Sequence, residues 1–291
     1  MHRYCPSWSR TQRDLFFKCP TAWAMTYGLR NEGSLGGKNT CTATWDLMLR
    51  SLKATVVEQL DALRSGVEWT QSVARIALRQ RLKEALADHH RTIEHPRFEA
   101  LLLFANHRMQ LLWRSDIFVE LTQGKHTQWS VLNRLESERV EGFDLFASPD
   151  VVFRIQTKWH LVRLDMQARK MNQSERLEAY AMVLWSMNRD GLPSVADQFH
   201  IQTLGWRKGG WRVHSLGVSS EEVAVARTMI ESDVAAMTAC ANAVRYAPLS
   251  LPLAANESTC TTCRMKPTCL EESTLEEKKR ERISALTLEI Q

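Results

Sequence analysis

Two sets of side chains in this sequence have types and spacings suited to chemistry. The first lies in the run Ser148-Pro149-Asp150-Val151-Val152-Phe153-Arg154-Ile155, continued by Leu161-Val162-Arg163-Leu164-Asp165-Met166-Gln167. Alternating apolar and polar residues predict two strands with a turn near Thr157, because successive strand side chains point to opposite faces. Val151, Phe153 and Ile155 then share one face with Val162, Leu164 and Met166. Asp150, Val152 and Arg154 share the other with Arg163, Asp165 and Gln167. Pairing the apolar faces brings Asp150 and Asp165 onto a common polar face. Two converging carboxylates suit a hard divalent cation such as Mg2+ or Mn2+, which takes oxygen ligands and keeps several waters. Such an ion activates water and offsets charge building up at phosphorus. The competing reading is a pair of solvated strand residues.

The second set is Cys260-x-x-Cys263-x5-Cys269, three thiols within ten residues. A two-residue gap lets neighbouring thiolates reach one centre, and a fourth ligand must come from elsewhere; Cys19 and Cys5 are the candidates. Tetrahedral zinc and a four-cysteine iron–sulfur cluster both use four such ligands. Cysteines without a ligand are the third possibility. Seven cysteines, an odd number with this clustering, argue against a disulfide framework. Cys41 and Cys240 read as small buried hydrophobes.

Both sets must be positioned by a folded core, and the composition supplies one. The chain has 291 residues, 44% of them hydrophobic, with ten tryptophans expected mostly inside. Residues 1–30 predict a short entry segment and a helix carrying Leu15, Phe16, Trp23 and Tyr27. Gly33, Gly36 and Gly37 mark a loop. Residues 31–115 form a helical region, with a stripe at Leu47, Leu49, Leu52, Val56 and Leu60 and a break at His95-Pro96. Residues 116–250 carry the expected α/β core. Strands are predicted at 116–121, 128–135, 140–146, 150–156 and 159–166, then a helix at 173–188. A hairpin is expected at 198–206 and 210–217, and a helix from about 220 to 246 that opens on the capping signature Ser219…Glu222. Residues 251–291 hold the cysteines and a charged tail. This order predicts one α/β domain with a helical N-terminal insert. No segment approaches the roughly 20 apolar residues of a membrane span, and no apolar signal core opens the chain, so a soluble cytoplasmic protein is expected. A net charge of +5 suits an anionic partner.

Pro149-Asp150 followed by Asp165-Met166-Gln167 resembles the PD-(D/E)XK nuclease motif, in the form found in RecB and AddB nuclease domains and in the iron–sulfur exonucleases of CRISPR adaptation. The resemblance implies a restriction-endonuclease-like core, a mixed central sheet flanked by helices. It implies that Asp150 and Asp165 hold the metal. The family's lysine position is occupied here by Gln167, with Lys170 and Arg163 as possible sources of the missing charge. The helix after the motif is similar to the family's Gln-x-x-x-Tyr helix: Tyr180 matches the tyrosine, while Arg176 stands at the glutamine, with Gln173 one turn earlier. Gly37 to Cys41 is the nearest match to the family's Gly-x-x-x-His. The resemblance also implies a [4Fe–4S] cluster ligated by Cys19, Cys260, Cys263 and Cys269, a staple joining the two ends of the chain.

Together these point to a divalent-metal-dependent deoxyribonuclease acting on DNA ends or single strands, with Asp150, Asp165, Gln167 and Tyr180 at its centre and Arg176, Lys170 and Arg163 contacting DNA. The alternative is a catalytically impaired member of the fold that binds DNA or serves as a subunit of a larger DNA-processing or defence complex. A helicase or similar protein partner follows from the resemblance alone. Weaker signals are the basic stretch Arg75, Arg79, Arg81 and Lys83, the hairpin tip Trp206-Arg207-Lys208 with Trp211, and the histidines at 89, 90, 95 and 107; a solvated face or plain turn accounts for each.

Overall fold

Caps and turns punctuate the chain. The computed structural model describes residues 5–29, 43–168, 172–263 and 265–290. Strand β1 (Ser7–Trp8) precedes helix α1 (Arg10–Lys18), whose N-cap Ser9 accepts the Gln12 N–H. Cys19 then caps the short α2 (Pro20–Trp23), which widens into one π turn over Ala24–Gly28. Proline suits that first helical position because its missing N–H would have no partner there.

Helices α3 (Thr44–Arg64), α4 (Gln71–Asp88) and α5 (His95–Leu112) follow. The expected stripe on α3 is observed, with Leu47, Leu52, Val56 and Leu60 buried. His95-Pro96 begins α5, Pro96 lying in its first turn. The strand expected at 116–121 is instead helix α6 (Asp116–Thr122). Ile117, Phe118 and Leu121 are its buried residues, the i, i+1, i+4 spacing of a helix. A six-residue apolar run does not separate the two periods by itself.

Strands β2 (Trp129–Val131), β3 (Glu138–Val140), β4 (Phe143–Leu145), β5 (Val151–Ile155) and β6 (Lys158–Asp165) come next. The single strand expected over 140–146 is a hairpin, because Glu141 and Gly142 both take positive φ (42° and 97°). A two-residue turn of that kind matches the twist of paired strands. Helix α7 (Gln173–Met187) begins on a full capping box between Asn172 and Glu175. Then come β7 (Phe199–Arg207), β8 (Gly210–Leu216), α8 (Ser220–Tyr246), α9 (Glu257–Thr261), α10 (Lys266–Leu270) and α11 (Leu275–Ile290). The predicted start of α8 is observed, with the Glu222 N–H donating to the Ser219 hydroxyl at 3.2 Å.

The chain is mixed α/β and falls into two compact units whose limits differ from the segments drawn from periodicity. One comprises residues 38–136 and 148–223. Its five-stranded sheet has the order β2-β5-β6-β7-β8. All neighbours are antiparallel except β6 and β7, which run parallel and are joined through α7; a parallel pair requires such a crossover. Val151, Phe153, Val162, Leu164, Met166 and Leu204 pack with the buried faces of α3 to α6 in one core.

The other unit comprises residues 1–37, 137–147 and 224–291, so it draws on both ends of the sequence. Its small sheet has the order β1-β4-β3, with β1 parallel to β4. The Trp8 indole N–H and the Arg13 guanidinium both donate to Asp233 of α8, at 3.0 and 2.8 Å. Trp23 is fully buried with Met237, Ala241 and Leu251. Three tryptophans, Trp8, Trp23 and Trp185, are completely enclosed, and most of the others lie at the margins of cores. Among the described residues no helix is long and apolar enough to cross a membrane.

Candidate functional site

The register of β5 against β6 sets Val151 opposite Val162, which brings Asp150 and Asp165 to the same end of that hairpin. Asp150 ends the approach to β5, and Asp165 is the last residue of β6. Alternation predicted a shared polar face, but Asp150 is fully enclosed. Its Oδ2 accepts the Leu164 N–H at 2.7 Å and the Lys53 ammonium of α3 at 2.7 Å. The Lys53 Nζ also donates to the Leu164 carbonyl at 2.9 Å. Asp150 Oδ1 is buried and has no hydrogen-bond partner among the described residues.

A buried carboxylate survives only if cations hold its charge. Burial raises the Asp150 pKa, yet Lys53, Arg163 and Arg134 together outweigh it and keep the carboxyl below the usual aspartate value. Lys53 carries the reciprocal strain. Burial, aided by Arg134 and Arg163, pushes its ammonium down to about 8, and Asp150 opposes that shift.

Asp165 is half-buried, and its Oδ1 accepts the Gln167 N–H at 3.1 Å, a tight local turn. The Gln167 side chain accepts the Trp45 indole N–H at 2.6 Å. Beside it, Arg108 is enclosed between the rings of Trp45 and Trp206, 5.0 and 4.8 Å from their centroids, and donates to the Met166 carbonyl at 2.8 Å. Burial lowers the Arg108 pKa. Gly205, opposite Asp165 on β7, lets this turn approach the sheet: a Cβ there would stand 2.4 Å from the Ala168 methyl.

The other expected residues divide. Arg163 is buried and pairs with Glu178 of α7 at 3.6 Å, and its charge contributes to holding Asp150 ionised. Tyr180 and Arg176 meet Glu222 instead, the tyrosine hydroxyl donating at 2.6 Å and the guanidinium at 3.4 Å. Burial first, then the bond to Glu222, raises the Tyr180 pKa. Lys170, Cys41 and the loop glycines 33, 36 and 37 lie outside the described residues. Of the basic stretch on α4, Arg79 pairs with Glu99 and Arg81 with Glu58, as a solvated face does. The hairpin tip is an ordinary turn with positive φ at Lys208 and Gly209, and the Trp211 indole donates inward to the Arg108 carbonyl.

Lys53 was not among the expected site residues. Its signal was present: it falls between Leu49, Leu52 and Val56 on the apolar stripe of α3, where a lone lysine requires a buried partner.

In the other unit, Cys19 and Cys260 are buried in one cluster with Ala22, Ala254, Met265, Leu270 and Leu275, and Cys263 and Cys269 pack against it. Burial raises the Cys19 thiol, while the backbone N–H groups of Ala22, Ala254 and Thr21 favour its thiolate, that of Ala22 at 3.4 Å from Sγ. Burial likewise raises Cys269; Arg282 opposes this, and Cys19, Cys263 and Cys260 add to it. The four sulfurs therefore sense one another. Cys5, the other candidate for fourth ligand, lies at the small sheet instead, exposed beside Asp144 and Arg139. Cys240 is half-buried, and burial raises its thiol. Among the described residues no group of three or more His, Cys, Asp or Glu side chains is placed to hold a single metal ion.

No protein-family model matches the chain, and no curated protein matches it.

Proposed function

We propose that this protein is a divalent-metal-dependent deoxyribonuclease with a PD-(D/E)XK-like core. The observation that carries this reading is Asp150: a fully enclosed carboxylate, kept ionised by Lys53, Arg163 and Arg134, with one oxygen left without a donor among the described residues. A buried charged oxygen without a partner calls for an explanation, and a bound cation is one that fits a carboxylate. Asp165 ends the neighbouring strand at the same end of the hairpin. Mg2+ or Mn2+ needs only one or two protein carboxylates, the remainder being water and substrate phosphate. Asp150 Oδ1 and Asp165 would hold the ion; when bound, it supplies an activated water and offsets charge at phosphorus. The antiparallel hairpin, followed by a crossover helix and a parallel strand, fits the core that the sequence resembles. The positive net charge suits a nucleic-acid backbone. DNA rather than RNA, a cytoplasmic setting and a helicase-like partner subunit rest on the resemblance and the sequence.

The four cysteines support a [4Fe–4S] cluster in the other unit. Cys19 and Cys260 are buried in one cluster against which Cys263 and Cys269 pack, and Cys19 is supplied with backbone N–H donors of the kind that tune cluster thiolates. The role proposed for the cluster is mechanical, holding Cys19 to the segment from Cys260 to Cys269.

The engagement of Gln167 by Trp45 favours a second reading, a DNA-binding subunit with an impaired site. Digestion of labelled single-stranded and blunt DNA with Mn2+ separates the two. The wild type is expected to cleave, and Asp165→Ala to lose about 10²-fold or more in rate, the scale of removing one strong electrostatic group. Absence of cleavage, or equal cleavage by the variant, overturns the nuclease reading.

A further inference from the structure

Resting on that reading, we infer that Lys53, from helix α3, supplies the positive charge that Gln167 does not, contacting the substrate phosphate beside the metal carboxylates. Three observations converge on it. Lys53 Nζ already stands 2.7 Å from Asp150 Oδ2 and 2.9 Å from the Leu164 carbonyl, the residue before Asp165. It is thus fixed at the end of the hairpin where both carboxylates lie. Gln167 is uncharged and its side chain is held by Trp45, so the position two residues after Asp165 contributes no cation.

The third observation is stoichiometric. An ammonium has three N–H donors, and Lys53 uses two on the described residues, leaving one. Asp150 has two oxygens: Lys53 and the Leu164 N–H take Oδ2, and Oδ1 is unpartnered. One carboxylate therefore serves both a lysine and a metal without either displacing the other. The lysine side chain keeps 15% of its surface exposed while Asp150 keeps 1%, so Lys53 is the less enclosed member of the pair. Its long side chain suits this arrangement, anchored in the apolar stripe of α3 with its charge at the tip.

In the reaction, the water oxygen bonds to phosphorus and the bond from phosphorus to the leaving sugar oxygen breaks. That oxygen takes up a proton, and the proton released by the attacking water passes to solvent. Lys53 remains an ammonium throughout, donating to a non-bridging phosphate oxygen as negative charge accumulates. A preorganised donor of this kind acts most strongly in the transition state. Lys53 is on this account a catalytic residue that sequence alignment on the strand motif would not find.

The test compares the wild type with Lys53→Met, Lys53→Gln and Lys53→Arg. Lys53→Met is near in volume and uncharged. Lys53→Gln keeps N–H donors for Asp150 and for the Leu164 carbonyl, and carries the same test if the methionine variant does not fold. Cleavage with Mn2+ is resolved into kcat and KM, and Mn2+ affinity is read separately by electron paramagnetic resonance. The uncharged variants are expected to lose about 10²-fold in kcat, with Mn2+ binding no weaker than in the wild type, because Lys53 is not a ligand. Lys53→Arg is expected to recover at least tenfold of that loss. Cleavage by an uncharged, folded variant within threefold of the wild type overturns the role of Lys53 while leaving the nuclease reading intact, provided that Asp165→Ala is inactive. Loss of Mn2+ binding together with activity also overturns it, since Lys53 would then only shape the metal site. A wild-type protein that does not cleave overturns both.

Discussion

At the residue scale, burial decides which ionisable groups matter. Asp150 is charged because three cations surround it, and Lys53 is strained because burial exceeds what one aspartate returns. His160 shows the same physics with no carboxylate among the groups that shift it. It stacks on Phe153 at 5.0 Å and lies 5.0 Å from His200. Burial, then His200, push it down to about 4; Gln202 opposes this, and His126 and Lys158 add to it. The sign of its linkage follows. The unfolded chain binds a proton near the ordinary histidine value of about 6.5, and the folded protein resists until about 4. Stability from this group is therefore intact above about 6.5 and is lost as pH falls through that window. His160→Phe, which keeps the stack on Phe153, is expected to move the acid-unfolding midpoint to lower pH. Circular dichroism between pH 7 and 3 checks it, and an unchanged midpoint would show that solvent already screens the imidazole.

At the element scale, the end of β6 is held by close backbone approach rather than by side-chain bulk. Asp165 pairs with Gly205 of β7, and the Ala168 N–H donates to the Trp206 carbonyl at 3.1 Å. A methyl group on Gly205 would collide with the Ala168 Cβ. Gly205→Ala is expected to destabilise the protein by about 1–3 kcal/mol, the usual cost of overpacking, and to lower cleavage by displacing Asp165. Ala168→Gly in the same chain removes the colliding atom and is expected to restore most of the stability. Chemical denaturation of both variants measures this; a single variant as stable as the wild type would mean that the turn yields without cost. Elements also explain the misread helix α6. Its seven residues carry both periods, and packing of Ile117, Phe118 and Leu121 into the core selected the helix.

At the scale of the whole molecule, the first and last stretches of sequence belong to one unit, and the carboxylate hairpin belongs to the other. The cysteine cluster lies in the first. Its small apolar core includes Cys19 and Cys260, with Cys263 and Cys269 packed against it; burial disfavours the free thiolates of Cys19, Cys260 and Cys269, so a ligand that binds thiolate offsets that cost. Cys260→Ser, purified without oxygen, is expected to lose the brown colour, iron and sulfide of the wild type and to unfold at lower temperature. A colourless wild-type protein containing zinc would replace the cluster with a single-ion site, and equal melting of metal-free and loaded protein would remove the mechanical role.

Much of this was legible in the sequence. Period-two alternation located β5 and β6, and with them Asp150 and Asp165 at one hairpin end, because strand geometry is local. Spacing singled out Cys260, Cys263 and Cys269, and a capping signature marked the start of α8. Local rules did not reach what depends on packing between distant segments. The Glu141-Gly142 turn divided a predicted strand, and α6 took the helical alternative. The Gln167 side chain met Trp45, the Tyr180 hydroxyl met Glu222, and Asp150, which alternation placed on a shared polar face, was enclosed. Above all, Lys53 reached Asp150 across nearly a hundred residues of sequence. The sequence by itself determined which acids and thiols the chain would bring to each place. The tertiary structure alone decided which cation would answer the buried acid, because the charge of Asp150 is set by its neighbours in space and not by its neighbours in the chain.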